Sequence, residues 1–151
     1  MAKGDLARKL GLKPGHAVCI LGASPEGAQA VRAACGGEAT LSEKLGRHLH
    51  LRRTAGAVQV GTFDIILFWP RRRRDLEGSF ARLQGKIRPD GAIWAVISKK
   101  SSPRSRGLDF AWEDLQAAGL TTDLVDNKVA SITADEYGTR FVIRKDRRGS
   151  G

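Results

Sequence analysis

The chain has 151 residues, with 26 Lys and Arg against 16 Asp and Glu, a net charge of +10. That length suits one domain with a real hydrophobic core, and 41% apolar with 28% charged residues is a globular mixture, not a disordered one. The longest uncharged apolar run, Ile65 to Trp69, is far short of the ~20 residues that a membrane span needs.

The charged start, Met1 to Leu12, lacks the apolar segment of a signal peptide, and the expectation is a cytoplasmic protein. Cys19 and Cys35 then read as free, buried structural thiols in a reducing compartment. The excess charge is concentrated. Between Lys44 and Arg106 stand 15 basic and 4 acidic residues, and the rest of the chain holds 11 and 12. Such a local field attracts polyanions, whatever the fold beneath it.

In chain order, Asp5 is expected to cap a short helix, Leu6 to Leu10, stopped at Gly11. His16 to Leu21 is an apolar run short enough for a buried strand. Gly22 to Gly27 breaks it, and Ala28 to Cys35 reads as helix, with Pro25 suited to a first helical turn. His48 to Arg53 is a weaker strand candidate, and Ala57 to Val60 reads as either strand or loop. Phe63 to Trp69 is a buried strand stopped by Pro70, and Asp75 to Ile87 carries the 3.6-residue apolar period of a helix. Pro89-Asp90-Gly91 reads as a turn into a strand, Ala92 to Ser98, and Lys99 to Gly107 as a polar loop. Asp109 is expected to cap a helix that Gly119 closes. Thr122 to Thr133 and Thr139 to Lys145 read as two strands whose five-residue connection makes them antiparallel. Residues 147–151 form a basic tail, expected to be disordered, outside a domain of residues 1–146.

Strands alternating with helices predict a single three-layer α/β domain, a mainly parallel sheet of about six strands with an antiparallel C-terminal hairpin. The order of segments, "LARKLGLKPG", "VCILGASPEG", "FDIILFWPRRRRDL", "GAIWAVISKK" and "VDNKVASITADEYGTRFVIRK", resembles a small bacterial family of shortened class I methyltransferase-like proteins of unknown function. Members of that family carry Trp-x-x-Trp-Pro-Lys-Lys where this chain has Trp94-Ala95-Val96-Ile97-Ser98-Lys99-Lys100. They carry Asp-Glu-x-Trp where it has Asp135-Glu136-Tyr137. The lysines and carboxylates are kept, while a Trp and a Pro are lost. The resemblance implies a Rossmann-type fold and, with it, S-adenosylmethionine as a possible cofactor.

In a parallel sheet, ligands bind outside the carboxyl ends of the strands. Four segments should meet there: Gly22 to Gly27, Trp69 to Arg74, Ser98 to Lys100, and Asp135 to Tyr137. Gly22, Ala23, Ser24 and Gly27 are the candidate cofactor loop beside a helix N-terminus. Their spacing is neither Gly-x-Gly-x-x-Gly nor that of a phosphate-binding loop with Lys-Ser/Thr. Ile20 stands where methyltransferases often place an acid, and Glu38 and Glu43 are the only candidates for a ribose-binding acid. A structural strand-to-helix turn is the reading these departures favour. Arg71, Arg72, Arg73 and Arg74, with Lys99 and Lys100, are the candidate anion-binding set, against the alternative of a solvated surface. Trp69 and Tyr137 are available to stack on unpaired bases, while Trp94 and Trp112 read as core. Asp135 and Glu136 read as turn caps. His48 and His50 are too few for a metal site without neighbouring Cys, and no metal is expected. Two functions remain: a non-catalytic module binding an anionic partner such as RNA or DNA, or an S-adenosylmethionine-dependent methyltransferase. The sequence leaves the oligomeric state open.

Overall fold

The computed structural model describes residues 3–43, 63–100 and 107–145. The strand candidates at 48–53 and 57–60, the His48/His50 pair and the tail at 147–151 lie outside them. The elements run α1 (Lys3–Leu10), β1 (Ala17–Leu21), α2 (Pro25–Cys35), β2 (Thr40–Ser42) and β3 (Phe63–Phe68). A 3-10 turn, Arg73–Asp75, leads into α3 (Leu76–Gln84), followed by β4 (Ile87–Ser98), α4 (Trp112–Leu120), β5 (Leu124–Ser131) and β6 (Glu136–Ile143).

The strands form one six-stranded sheet in the order β2-β1-β3-β4-β6-β5. The pairs from β2 through β4 are parallel, while β6 runs antiparallel to both β4 and β5. Alternate residues of each strand face opposite layers, as the period of two requires. Val18, Ile20, Ile65, Leu67, Trp94 and Val96 pack beneath Leu10 of α1 and Val31 of α2. Cys19, Ile66, Phe68, Ile93 and Ala95 pack on the other face with Phe80, Leu83 and Leu115 of α3 and α4. Phe80 is fully buried and meets the rings of Phe68 and Phe141 edge-on, at centroid distances of 5.3 and 4.7 Å. The three-layer α/β architecture is the expected one.

Several element boundaries differ from the sequence expectation, each for a local reason. Asp5 lies inside α1 and pairs with Arg8 at 2.8 Å instead of capping the helix. α2 starts three residues earlier than expected, because Ser24 caps it and Pro25 occupies its first turn. β2 has no apolar signature; three residues add to the sheet edge by register with Ala17 to Cys19. Pro89-Asp90-Gly91 does not precede the strand but lies within β4, where the pairing with β3 jumps from Phe63–Ile87 to Ile65–Ala92. Asp109 does not cap α4. Ala111 is its N-cap residue, and Asp114 accepts the Ala111 N–H at 2.8 Å. Finally, β6 begins at Glu136, three residues before the expected Thr139, so residues counted as turn belong to the sheet.

Candidate functional site

The carboxyl ends of β1, β3 and β4 lie side by side, with Leu21 opposite Phe68 and Phe68 opposite Ala95. Because β6 is antiparallel, its first residue, Glu136, comes to the same edge, opposite Ser98. The edge therefore collects the four expected segments. What they do there differs from one to the next.

Gly22 follows β1 at φ +70°, a left-handed conformation that glycine adopts without strain. Two residues on, the Ser24 hydroxyl oxygen accepts the Gly27 N–H at 2.9 Å and caps α2. The same hydroxyl donates to Glu136 Oε1 at 3.0 Å, and the Trp69 indole N–H donates to Oε2 at 3.2 Å. Thr133 supplies a third donor to Oε1 at 3.3 Å. Glu136 is 4% exposed, so this is a buried carboxylate whose desolvation is offset by converging hydrogen bonds. It is not the solvated turn cap that the sequence suggests. Gly27 has a matching reason to be glycine: a Cβ there would lie 2.5 Å from Trp69 Cζ2. The Trp69 ring, one residue beyond β3, thus lies directly on the first turn of α2, and the close approach that the loop allows is made by the protein's own indole.

Asp135 is exposed, and its carbonyl accepts the Lys99 N–H at 2.8 Å. Tyr137, the next residue along β6 after Glu136, points to the opposite face and packs on the other core cluster. It is not placed to stack beside Trp69. Trp94 is buried as expected, while Trp112 is half-buried and donates to Thr139 at 2.9 Å.

The arginine run is exposed throughout. Arg73 is neutralised: its backbone N–H donates to Asp109 at 2.6 Å and its guanidinium pairs with Asp114 at 3.2 Å. Arg74 shares a shallow hollow with Arg73, Glu77, Asp109 and Asp114. Arg71 and Arg72 have no ion pair among the described residues. Lys99 donates to Ser131 at 3.1 Å. Between the glycine loop and the arginines lies a cavity of about 560 Å3. Trp69, Val96, Ile97 and Leu108 give it apolar walls, Ser24, Ser98 and Glu136 give it polar groups, and Arg71 borders it.

No family model and no curated sequence matches the chain. Solved structures do. A SAM-dependent methyltransferase from Aquifex aeolicus superposes at a TM-score of 0.57 with 12% identity, over 94% of this chain and 89% of that one. The antibiotic-resistance methyltransferase Kmr gives 0.52 and 12%, over 95% and 94%. The mitomycin 7-O-methyltransferase MmcR gives 0.59 and 14%, over 94% of this chain and 53% of its own. The fold is that of class I methyltransferases.

At such identities the likeness concerns fold, so the fit of S-adenosylmethionine rests on the residues themselves. Of the two candidates for a ribose-binding acid, Glu43 directly follows the short β2 and so stands at a strand end, which the sequence did not show. Its carboxylate is bound to Arg32 of α2 at 2.8 Å. The glycine loop is the unfavourable part. Ser24 takes the Gly27 N–H, the Trp69 ring covers Gly27, and the buried Glu136 carboxylate repels a second carboxylate beside Ser24. These residues do not fit the cofactor. Among the described residues, no group of three or more His, Cys, Asp or Glu is placed to hold a metal. No described helix is long and apolar enough to cross a membrane.

Proposed function

We propose that the protein is a non-catalytic binding module on a methyltransferase fold, holding an anionic polymer on the cations of its sheet edge. The observation that carries this reading is the closure of the glycine loop from within by Trp69 and Glu136. At the first turn of α2 the Gly27 N–H is already taken by Ser24 and the Trp69 ring lies against Gly27, so the backbone approach and the donor that a cofactor would use there are occupied. The cations beside it are different. Arg71 and Arg72 are exposed without ion pairs among the described residues, and Arg74, Lys99 and Lys100 extend the same charged edge. Nucleic acid is the polymer that such a charge run suits, with phosphate contacts and no sequence preference. In this reading residues 1–146 act as one cytoplasmic domain, and the buried free thiols Cys19 and Cys35 support a reducing compartment.

A salt titration against a single-stranded oligonucleotide tests the reading. The logarithmic slope should reach about −0.7 for each phosphate contacted, and a flat slope would leave the arginines as surface charge. The second reading, an S-adenosylmethionine-dependent methyltransferase, is favoured by Glu43 at the end of β2. Calorimetry with S-adenosylmethionine separates the two. Micromolar binding would overturn the first.

A further inference from the structure

Phosphate contacts alone leave the cavity beside Arg71 without a role. At about 560 Å3 it lies within the range of small-ligand sites. Its lining combines the apolar residues Trp69, Val96, Ile97 and Leu108 with the polar residues Ser24, Ser98 and Glu136. Ser98 is notable among these. It ends β4, is half-buried, and its hydroxyl makes no hydrogen bond to any described residue. Arg71 borders the same space and is exposed. An occupant with an apolar body, polar edges and an anionic group on the side of Arg71 suits this lining. A nucleotide unit has that chemistry.

We propose that the cavity receives one unpaired nucleobase of a single strand, with the adjoining phosphate held by Arg71. This rests on the reading that the edge cations hold a nucleic acid, and it names the form: single-stranded, since a base in a duplex is paired and stacked and cannot enter. Trp69 provides the apolar wall for the base, and the Ser98 hydroxyl can donate to or accept from its polar edge. Free nucleotides share the same chemistry but bring only one phosphate to the edge.

The test compares four probes by fluorescence anisotropy: a labelled oligothymidine, an abasic strand of equal length, a duplex of equal length, and thymidine monophosphate as competitor. The oligothymidine should bind about tenfold to hundredfold more tightly than the abasic strand, the gain typical of stacking one base on an aromatic wall. The duplex should bind like the abasic strand. Ser98→Phe, which adds bulk to the cavity and removes the hydroxyl offered to the base while breaking no side-chain hydrogen bond among the described residues, should bring the oligothymidine down to the abasic level and leave the abasic strand unchanged. Ala23→Leu, at another point on the lining, should act in the same direction. Equal affinity for thymidine and abasic strands in the unmodified protein overturns the base site while the edge reading stands. Binding of the monophosphate as tight as the strand assigns the cavity to free nucleotides and overturns the strand form. Failure of every polyanion to bind overturns the edge reading itself.

Discussion

The glycine loop and the arginine run occupy neighbouring strand ends of one sheet, yet their polar groups meet opposite fates. At the loop, Ser24 and Trp69 donate to Glu136 at 3.0 and 3.2 Å, and all three are buried. At the run, Arg71 and Arg72 are exposed and lack ion pairs among the described residues; Arg73 is tied down by Asp109 and Asp114. Burial accounts for the contrast. A polar group removed from water must find a partner in the protein, and once it has one it is no longer available to a ligand. An exposed guanidinium carries no such requirement. It contributes little to folding and keeps its donors for whatever arrives. The resemblance to cofactor-binding folds therefore points to one side of the edge, and the groups available for binding lie on the other.

The largest expected effect comes from breaking the closed side. Trp69→Ala should destabilise the fold by about 3–5 kcal/mol, as deletion of a buried aromatic does, and denaturant unfolding measures it. Trp69→Phe keeps most of the packing and removes one donor from the buried carboxylate, a loss of about 1–3 kcal/mol. A Trp69→Ala protein as stable as the parent would mean that the ring does not hold the loop, and the contrast would collapse. Gly27→Ala is the next test. Its Cβ would press on the ring at 2.5 Å, and overpacking of that kind costs about 1–3 kcal/mol. In the Trp69→Ala background the same change should cost little, because the atom it would strike is gone. That non-additivity is the signature of direct contact.

The layers of the fold were legible because short apolar runs alternate with helical segments. Val18 to Ile20 and Ile93 to Val96 are unbroken apolar runs, the mark of strands buried on both faces, and the structure divides their residues between the two layers. The parallel strands followed from the alternation of strands with helices, and the final antiparallel hairpin from its short connection. What was hidden is of another kind. β2 is three residues of edge strand held by backbone pairing to β1, with no side-chain pattern to betray it. The meeting of the site segments at one edge was readable, but the inward turn of Glu136 was not. Its partners Ser24 and Trp69 lie 112 and 67 residues away, and no local spacing encodes such a contact. The shorter turn before β6 was the one signal available, since starting the strand at Glu136 places that residue and Tyr137 on opposite faces. Likewise, four consecutive arginines look equivalent in sequence. Only the fold brings Asp109 and Asp114 to Arg73 and leaves Arg71 at the cavity.

The open side is sharpened by separating those arginines. Replacing Arg71 and Arg72 together by Ala should make the salt slope of oligonucleotide binding shallower by about 0.7 for each phosphate that is no longer bound. Arg73→Ala should change it less, because that guanidinium already faces Asp114. Neither change should move stability by more than about 1 kcal/mol. An Arg73→Ala protein with the larger change of slope would show that the ion pair does not withdraw the charge.

The smallest effect concerns β6 itself, where Glu136 and Tyr137 divide between the two layers. Tyr137 is the only tyrosine in the chain, so phenolate absorbance reports on it alone. Burial pushes its phenol above the ordinary value of 10.0, and the nearby Glu113 carboxylate raises it further. A proton held more tightly in the folded state favours folding wherever the phenol stays protonated. That contribution is complete below pH 10 and is lost as the pH rises through the folded value. Glu113→Gln should lower the titration midpoint while leaving most of the rise in place, since burial is the larger cause. Glu113 is exposed, so added salt should screen its share and leave the burial share intact. A midpoint at the ordinary value would place Tyr137 in solvent, and Glu136, one residue earlier on the same strand, could not then be turned under α2.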